Sequence, residues 1–270
     1  MKVVILRGGA APLRPGRAAG PVGTAQRGVM ALGDNQGRWV LVNMSPAVAH
    51  QLDSDRLLDG HLGLVDGGGV RALVLTDAQI DHVGGLLSLR NGAPIDLYAT
   101  PAVFERLTTS MPVLPVLQHY CGVHWRVVPV AGDRQVASFQ VDGLPTLEFT
   151  AVAMRMATPP HLSRGQQHQV GDGIALAVRD LASGQRVFCA PGLPQFGADE
   201  VDWMRQADCL LVDGPEPTAP PALSRRWLAQ FAGLPARHKV MLGPAGALPE
   251  GGDWAGHGIT LAHDGLAIEL

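Results

Sequence analysis

Short apolar runs rich in Val, Ile, Leu and Ala recur along the whole chain, most of them closed by Gly, Pro, Asn or Asp. Runs of that length bounded by turn residues fit strands buried in a sheet better than helices. They fall at 2–6, 26–32, 38–43, 71–75, 97–99, 125–130, 135–140, 147–152, 174–178, 186–189, 209–212, 239–242 and 266–269. The 26–32 and 38–43 segments flank Gly33-Asp34-Asn35-Gln36-Gly37 and predict a hairpin. Helical patterning is sparser. Ser45-Pro46 opens one helix as N-cap and first helical residue, and further helices are expected at 83–89, 101–107, 198–206 and 222–231. Strands in both halves with helices between some of them predict an α/β chain. Two mixed sheets pack face to face with helices outside, an αββα sandwich.

Composition narrows the classes that remain. An apolar fraction of 46% over 270 residues supports a packed core, read as a single domain over 1–270. The 34 Gly and 21 Pro call for many tight turns. With a net charge of −3 and no basic stripe, nucleic acid is not an expected partner. No apolar stretch reaches the roughly 18 residues a membrane span needs, so no membrane partner is expected. Cys121, Cys189 and Cys209 form no CxxC pair and are odd in number, which fits buried thiols in a reducing, cytoplasmic setting.

The chemistry-bearing feature lies directly after the run at 71–75. Thr76-Asp77-Ala78-Gln79-Ile80-Asp81-His82 gathers oxygen and nitrogen donors on a strand-to-helix loop, with Gly84 and Gly85 just behind. Asp77, Asp81 and His82 are the candidate catalytic residues. A carboxylate beside an imidazole suits zinc or non-haem iron, so Asp81 and His82 are also candidate metal ligands. The plainer alternative is an Asp81 that caps the helix entering at Val83 beside a surface histidine.

This loop is similar to the HxHxDH motif of the metallo-β-lactamase superfamily, with Asp77 and Gln79 where the first two histidines would stand. The longer match is more specific. Asn43-Met44-Ser45-Pro46, Leu75 through Leu86, Leu97-Tyr98-Ala99-Thr100-Pro101, Val116 through Val123, Ala190-Pro191-Gly192, Asp208 through Gly214 and Asp264 through Leu270 resemble, in order, stretches of the pyrroloquinoline quinone (PQQ) biosynthesis B proteins. The resemblance implies a metallo-β-lactamase αββα fold and a part in making that cofactor from a ribosomal peptide. The activity implied is metal-dependent oxygenase or hydroxylase chemistry on a peptide-derived tyrosine; a carrier or transport role for the product is the other implication. In that context Gln79, His119, Tyr120 and Asp213 are candidate substrate-binding residues, and His161 and His168 are candidate further metal ligands beside Asp81 and His82. His119 and Tyr120 could equally pack in the apolar segment around them, and Asp213 could cap a turn with Gly214.

Departures from the family pattern point to a depleted metal site. Residues 10–23, AAPLRPGRAAGPVG, hold none of the family's amino-terminal cysteines. Gly243-Pro244-Ala245-Gly246-Ala247-Leu248-Pro249 stands where the family has a metal-binding histidine block. Residues 213–222, DGPEPTAPPA, are shorter than their counterpart and lack its histidine.

Three functions are compatible with these residues: a metalloenzyme using Fe(II) or Zn(II); a catalytically degenerate binding, carrier or partner protein, with no metal bound; or another hydrolase of the superfamily. The last lacks a carboxylate at Ala190-Pro191-Gly192, where a bridging Asp would be needed. Expected partners are a peptide-derived PQQ precursor or other small molecule, and a second copy of the chain.

Overall fold

The computed structural model describes residues 1–8, 28–54, 72–91, 94–155, 168–192, 197–215, 220–243 and 254–270. Within them two sheets form. The first has the order β14 (Leu266–Glu269), β1 (Lys2–Arg7), β2 (Val29–Gly33), β3 (Trp39–Val42), β4 (Ala72–Val74), β5 (Ile95–Ala99), β6 (Val123–Val127). The second runs β13 (Ile259–Leu261), β12 (His238–Met241), β11 (Cys209–Val212), β10 (Arg186–Ala190), β9 (Ile174–Asp180), β8 (Leu147–Ala153), β7 (Val136–Phe139). Each sheet is mixed: β3 to β6 and β10 to β13 pair in parallel, and the remaining pairs are antiparallel.

The two-residue period of a strand sorts these sequences into three apolar layers. Val3, Ile5, Val74, Val187, Cys189, Cys209 and Leu211 point into the central layer between the sheets. Their neighbours Val4, Leu6, Leu73 and Leu75 face outward and pack beneath α1 (Pro46–Ser54), α2 (Ile80–Val83) and α3 (Pro101–Thr108). Phe188, Leu210 and Val212 do the same on the second sheet beneath α5 (Ala198–Arg205) and α6 (Pro221–Ala232). Because both faces of the central strands are covered, their sequences read as continuous apolar runs. The result is an αββα sandwich. A short α4 (Val113–Leu117) precedes β6.

Most expected elements appear within a few residues of their expected bounds. The hairpin forms with Met30 opposite Val42, and Ser45 Oγ accepts from Val48 N at 3.3 Å as the α1 cap. The helix expected from Val83 begins earlier, at Ile80, and continues as a 3₁₀ helix over Gly84–Asn91, since Gly84 and Gly85 hold α-helix weakly. Strand β13 and helix α4 are too short to show a period. All three cysteines are buried and free, and burial pushes the Cys189 and Cys209 thiols up to about 12. No helix among the described residues is long and apolar enough to cross a membrane.

The hairpin turn is held by Asp34. One oxygen accepts from Gln36 N at 2.9 Å and Arg38 N at 3.0 Å, the other from Arg38 Nε at 2.7 Å. Burial alone would push this carboxyl up, but the bonds from Arg38 and Gln36 hold it below the usual carboxylate value. A depressed folded value stabilises the fold above the unfolded value near 3.8 and is lost as pH falls through the folded one. Asp34→Asn is therefore expected to cost about 1–2 kcal/mol at pH 7, modest because Arg38 is part-exposed. In urea denaturation, the gap between the two proteins should narrow at pH 3; a gap independent of pH would overturn this account.

Candidate active site

Parallel strands deliver loops to their carboxyl ends, and ligands bind α/β sheets there. The 76–82 loop leaves β4 at such an end. It meets the carboxyl ends of β3, β10 and β11 and the start of the antiparallel β9: Ile174 N donates to Thr76 O at 2.9 Å, and Asp77 bridges Gly173.

At the centre of this meeting point lies His82, only 5% exposed, with Asp77 at 2%. The imidazole Nδ1 sits 2.8 and 2.7 Å from the two Asp77 oxygens. Asp77 also accepts from Gln79 N at 2.8 Å and from Thr76 Oγ1 at 2.9 Å, so every oxygen it offers is engaged. Asn43 extends the chain of bonds: its amide donates to Thr76 Oγ1 and to Gly28 O, each at 2.9 Å, while its carbonyl accepts from Thr76 N at 3.0 Å. Asn43 makes these bonds from a left-handed backbone, φ 63°, a conformation Asn tolerates better than most residues. Main-chain bonds lock the loop onto the entrance of α1, from Met44 N to His82 O at 2.6 Å and from Gly85 N to Met44 O at 3.0 Å.

Nδ1 is occupied, so the reactive edge of His82 is Nε2. It faces Gly28 and lies beside Pro191 at the end of β10. Asp213, immediately after β11, turns Oδ2 to Gly192 N at 2.8 Å and so stands on the same rim. Burial disfavours the charged imidazole, but Asp77, Asp213 and Asp81 together hold its proton affinity above the ordinary histidine value. One imidazole is thus paired with one carboxylate and feels the charge of two more, an environment that favours a positively charged or proton-donating occupant.

The structure gathers Asp77, Asp81, His82 and Asp213 at this rim, with Gln79 contributing its main chain as the N-cap of α2. Asp81 lies inside α2 and does not cap it, and His82 is buried, which removes the alternative of a capping Asp beside a surface histidine. Asp77 orients His82 through its Nδ1, the carboxylate-to-histidine arrangement that supports metal-ligand and proton-transfer histidines alike. Three expected residues are placed elsewhere. His119 and Tyr120 are exposed and precede β6, at the amino-end edge of the parallel strands, because α4 turns Val113, Leu114 and Leu117 onto the sheet and leaves the next turn to solvent. His168 is also exposed. It lines a separate cleft with Glu105, Arg106 and Asp172, whose floor is the Arg106 to Asp172 ion pair. His161, residues 10–23 and residues 244–249 lie outside the described residues. Among the described residues, no three His, Cys, Asp or Glu side chains converge as metal donors. Asn43 was not among the expected site residues, although its place after an apolar strand and before Ser45-Pro46 marks a forced turn.

With the αββα sandwich and the polar strand ends established, the family profile described as Beta-lactamase superfamily domain matches residues 38–248 and gives the class of the chain. Among solved structures, the Zn(2+)-bound PqqB from Methylobacterium extorquens superposes with a TM-score of 0.73 at 21% identity, covering all of both chains. A diphosphatase from the PhnP family superposes with a TM-score of 0.65 at 17% identity, covering all of this chain and 97% of that one. In sequence, the coenzyme PQQ synthesis protein B of Pseudomonas putida is 33% identical over 269 aligned positions, 89% of this chain and 86% of that protein. Its counterpart in Azotobacter vinelandii is 40% identical over 186 positions, 68% of this chain, and the match spans 60% of that relative's length. The chain belongs to the coenzyme PQQ synthesis protein B family.

Proposed function

We propose that this chain acts in the synthesis of coenzyme PQQ and that the His82 centre receives the peptide-derived, tyrosine-containing precursor. The observation that carries this reading is the Asp77 to His82 pair, buried and fully bonded on its Nδ1 side, with Nε2 turned toward Gly28. Asp77 fixes the ring. Nε2 then holds or moves a proton at an oxygen of the bound molecule, and Asp81 and Asp213 favour an amine or other cationic group next to it.

Metal-dependent oxygenase or hydroxylase chemistry on the tyrosine is the finer form of this proposal, supported by the zinc carried by the M. extorquens relative. In this chain His82 and Asp81 are the residues that would contribute to Fe(II) or Zn(II). The described donors alone do not fit a resident ion, since three do not converge and Asp77 is spent on the imidazole. That shortfall favours, as a second reading, a binding or carrier protein of the same pathway with no metal of its own.

Expression of this chain in a PQQ-producing bacterium deleted for its own family member tests the proposal. Restored PQQ output, with the purified untagged chain assayed for iron and zinc, is the expected result for the enzyme when about one ion per chain is found. Restored output without metal selects the second reading. A soluble, folded chain that restores nothing overturns both.

A further inference from the structure

On the outer face of the second sheet, remote from His82, the strand register lines up Glu148 opposite Arg179 and Arg179 opposite Arg186. Residues directly opposite on antiparallel strands share a face about 5 Å apart, and like charges placed there repel. Among the described residues neither guanidinium comes within ion-pair distance of a carboxylate, and Arg186 Nη1 donates instead to Gln206 Oε1 at 3.0 Å. The next row across the same strands is Thr150, Ala177 and Phe188. Ala177 is small and sits between larger neighbours, so the face dips there. Trp203 and Ala207, on and just beyond α5, wall the dip into a cleft of ≈220 Å³.

Two guanidinium groups above an apolar floor, beside an indole, match a flat anion. The forked donors of arginine suit a carboxylate, and the floor and Trp203 suit a ring system. The size of the cleft suits a molecule of one or two fused rings, and the net charge of −3 disfavours polyanions such as nucleic acid. We propose that this cleft binds a small aromatic carboxylate, its carboxylate on Arg179 and Arg186 and its ring between Ala177 and Trp203. Glu148, on the far side of Arg179, repels the carboxylate and thereby sets its direction toward Arg186. The site is independent of the function assigned to the His82 centre.

Isothermal titration of the full chain with 2-naphthoate, and with its uncharged analogue 2-acetylnaphthalene, tests this. Saturable one-to-one binding of 2-naphthoate is expected, at least tenfold weaker for the uncharged analogue. The Arg179→Gln/Arg186→Gln double variant should weaken naphthoate binding at least tenfold, and Trp203→Leu should weaken it as well. The double variant should also melt no lower than the unaltered chain, because it removes a repulsion. Binding that survives the double variant but is lost in Asp77→Ala would place the ligand at the His82 centre and overturn the proposal. So would absence of saturable binding, equal affinity for the uncharged analogue, or a double variant melting several degrees lower, which would make the arginines structural.

Discussion

Asp77→Ala is expected to melt about 10 °C below the unaltered chain and to lose the PQQ output that the unaltered chain restores. The side chain is 2% exposed and is the shared acceptor for His82 Nδ1, Thr76 Oγ1 and Gln79 N. Truncation leaves His82 Nδ1 and Gln79 N without their acceptor, leaves Thr76 Oγ1 with Asn43 Oδ1 at 3.1 Å, and removes the charge that offsets burial of the imidazole. Removing one partner of a buried pair costs about 3–5 kcal/mol. For a chain of this size each kcal/mol moves the melting temperature by about 2–4 °C. Asp77→Asn separates stability from function: it keeps the volume and an acceptor for Gln79 N, so it should lose about half as much stability. The imidazole still loses its anionic anchor, so PQQ output should fall as far as in Asp77→Ala. Thermal unfolding by near-ultraviolet circular dichroism and quantification of PQQ in the deletion strain are the two measurements. An Asp77→Ala chain melting within about 2 °C of the unaltered one would show that the pair does not organise the loop.

The layers and the loop were legible in the sequence for the same reason. Strands covered on both faces give unbroken apolar runs such as Cys209-Leu210-Leu211-Val212, and an abrupt change to Thr76-Asp77 at the end of one marks where the chain leaves the core. Asp213 has the same signature, a carboxylate directly after an apolar strand. What could not be read was which partner each polar group takes. Spacing alone offers Asp77 and Asp81 as equal neighbours of His82; only the turn made by Gln79 N on Asp77 brings that carboxylate under the ring. His119 and Tyr120 sit in a segment with Val113, Leu114 and Leu117, yet the five-residue α4 turns just these three apolar side chains inward, and the residues after it are exposed. No period can show in so short a helix. Asn43 was hidden because its contribution is long-range in sequence: it joins Gly28 to Thr76 across two strands.

Gly28→Ala probes the side of His82 that the Asp77 variants leave untouched. Gly28 has φ +71°, and a methyl group there would sit 2.5 Å from Pro191 Cβ and 3.0 Å from His82 Nε2. The left-handed backbone costs an L-residue about 1–2 kcal/mol, and forcing an extra carbon into a filled space costs about 1–3 kcal/mol more. Gly37→Ala is the matched control, since Gly37 has φ +76° with nothing within 4 Å of the added carbon. It should carry the backbone cost alone and leave PQQ output intact. The difference in unfolding free energy between the two variants then measures the contact with Pro191 and the imidazole, expected at about 1–3 kcal/mol. The methyl group also covers Nε2, the nitrogen through which the centre meets its ligand, so Gly28→Ala should lose PQQ output even at a temperature where it is fully folded. If Gly28→Ala and Gly37→Ala were equally stable and equally active, Nε2 would not be the working edge of the site, and the orientation imposed by Asp77 would serve the fold alone.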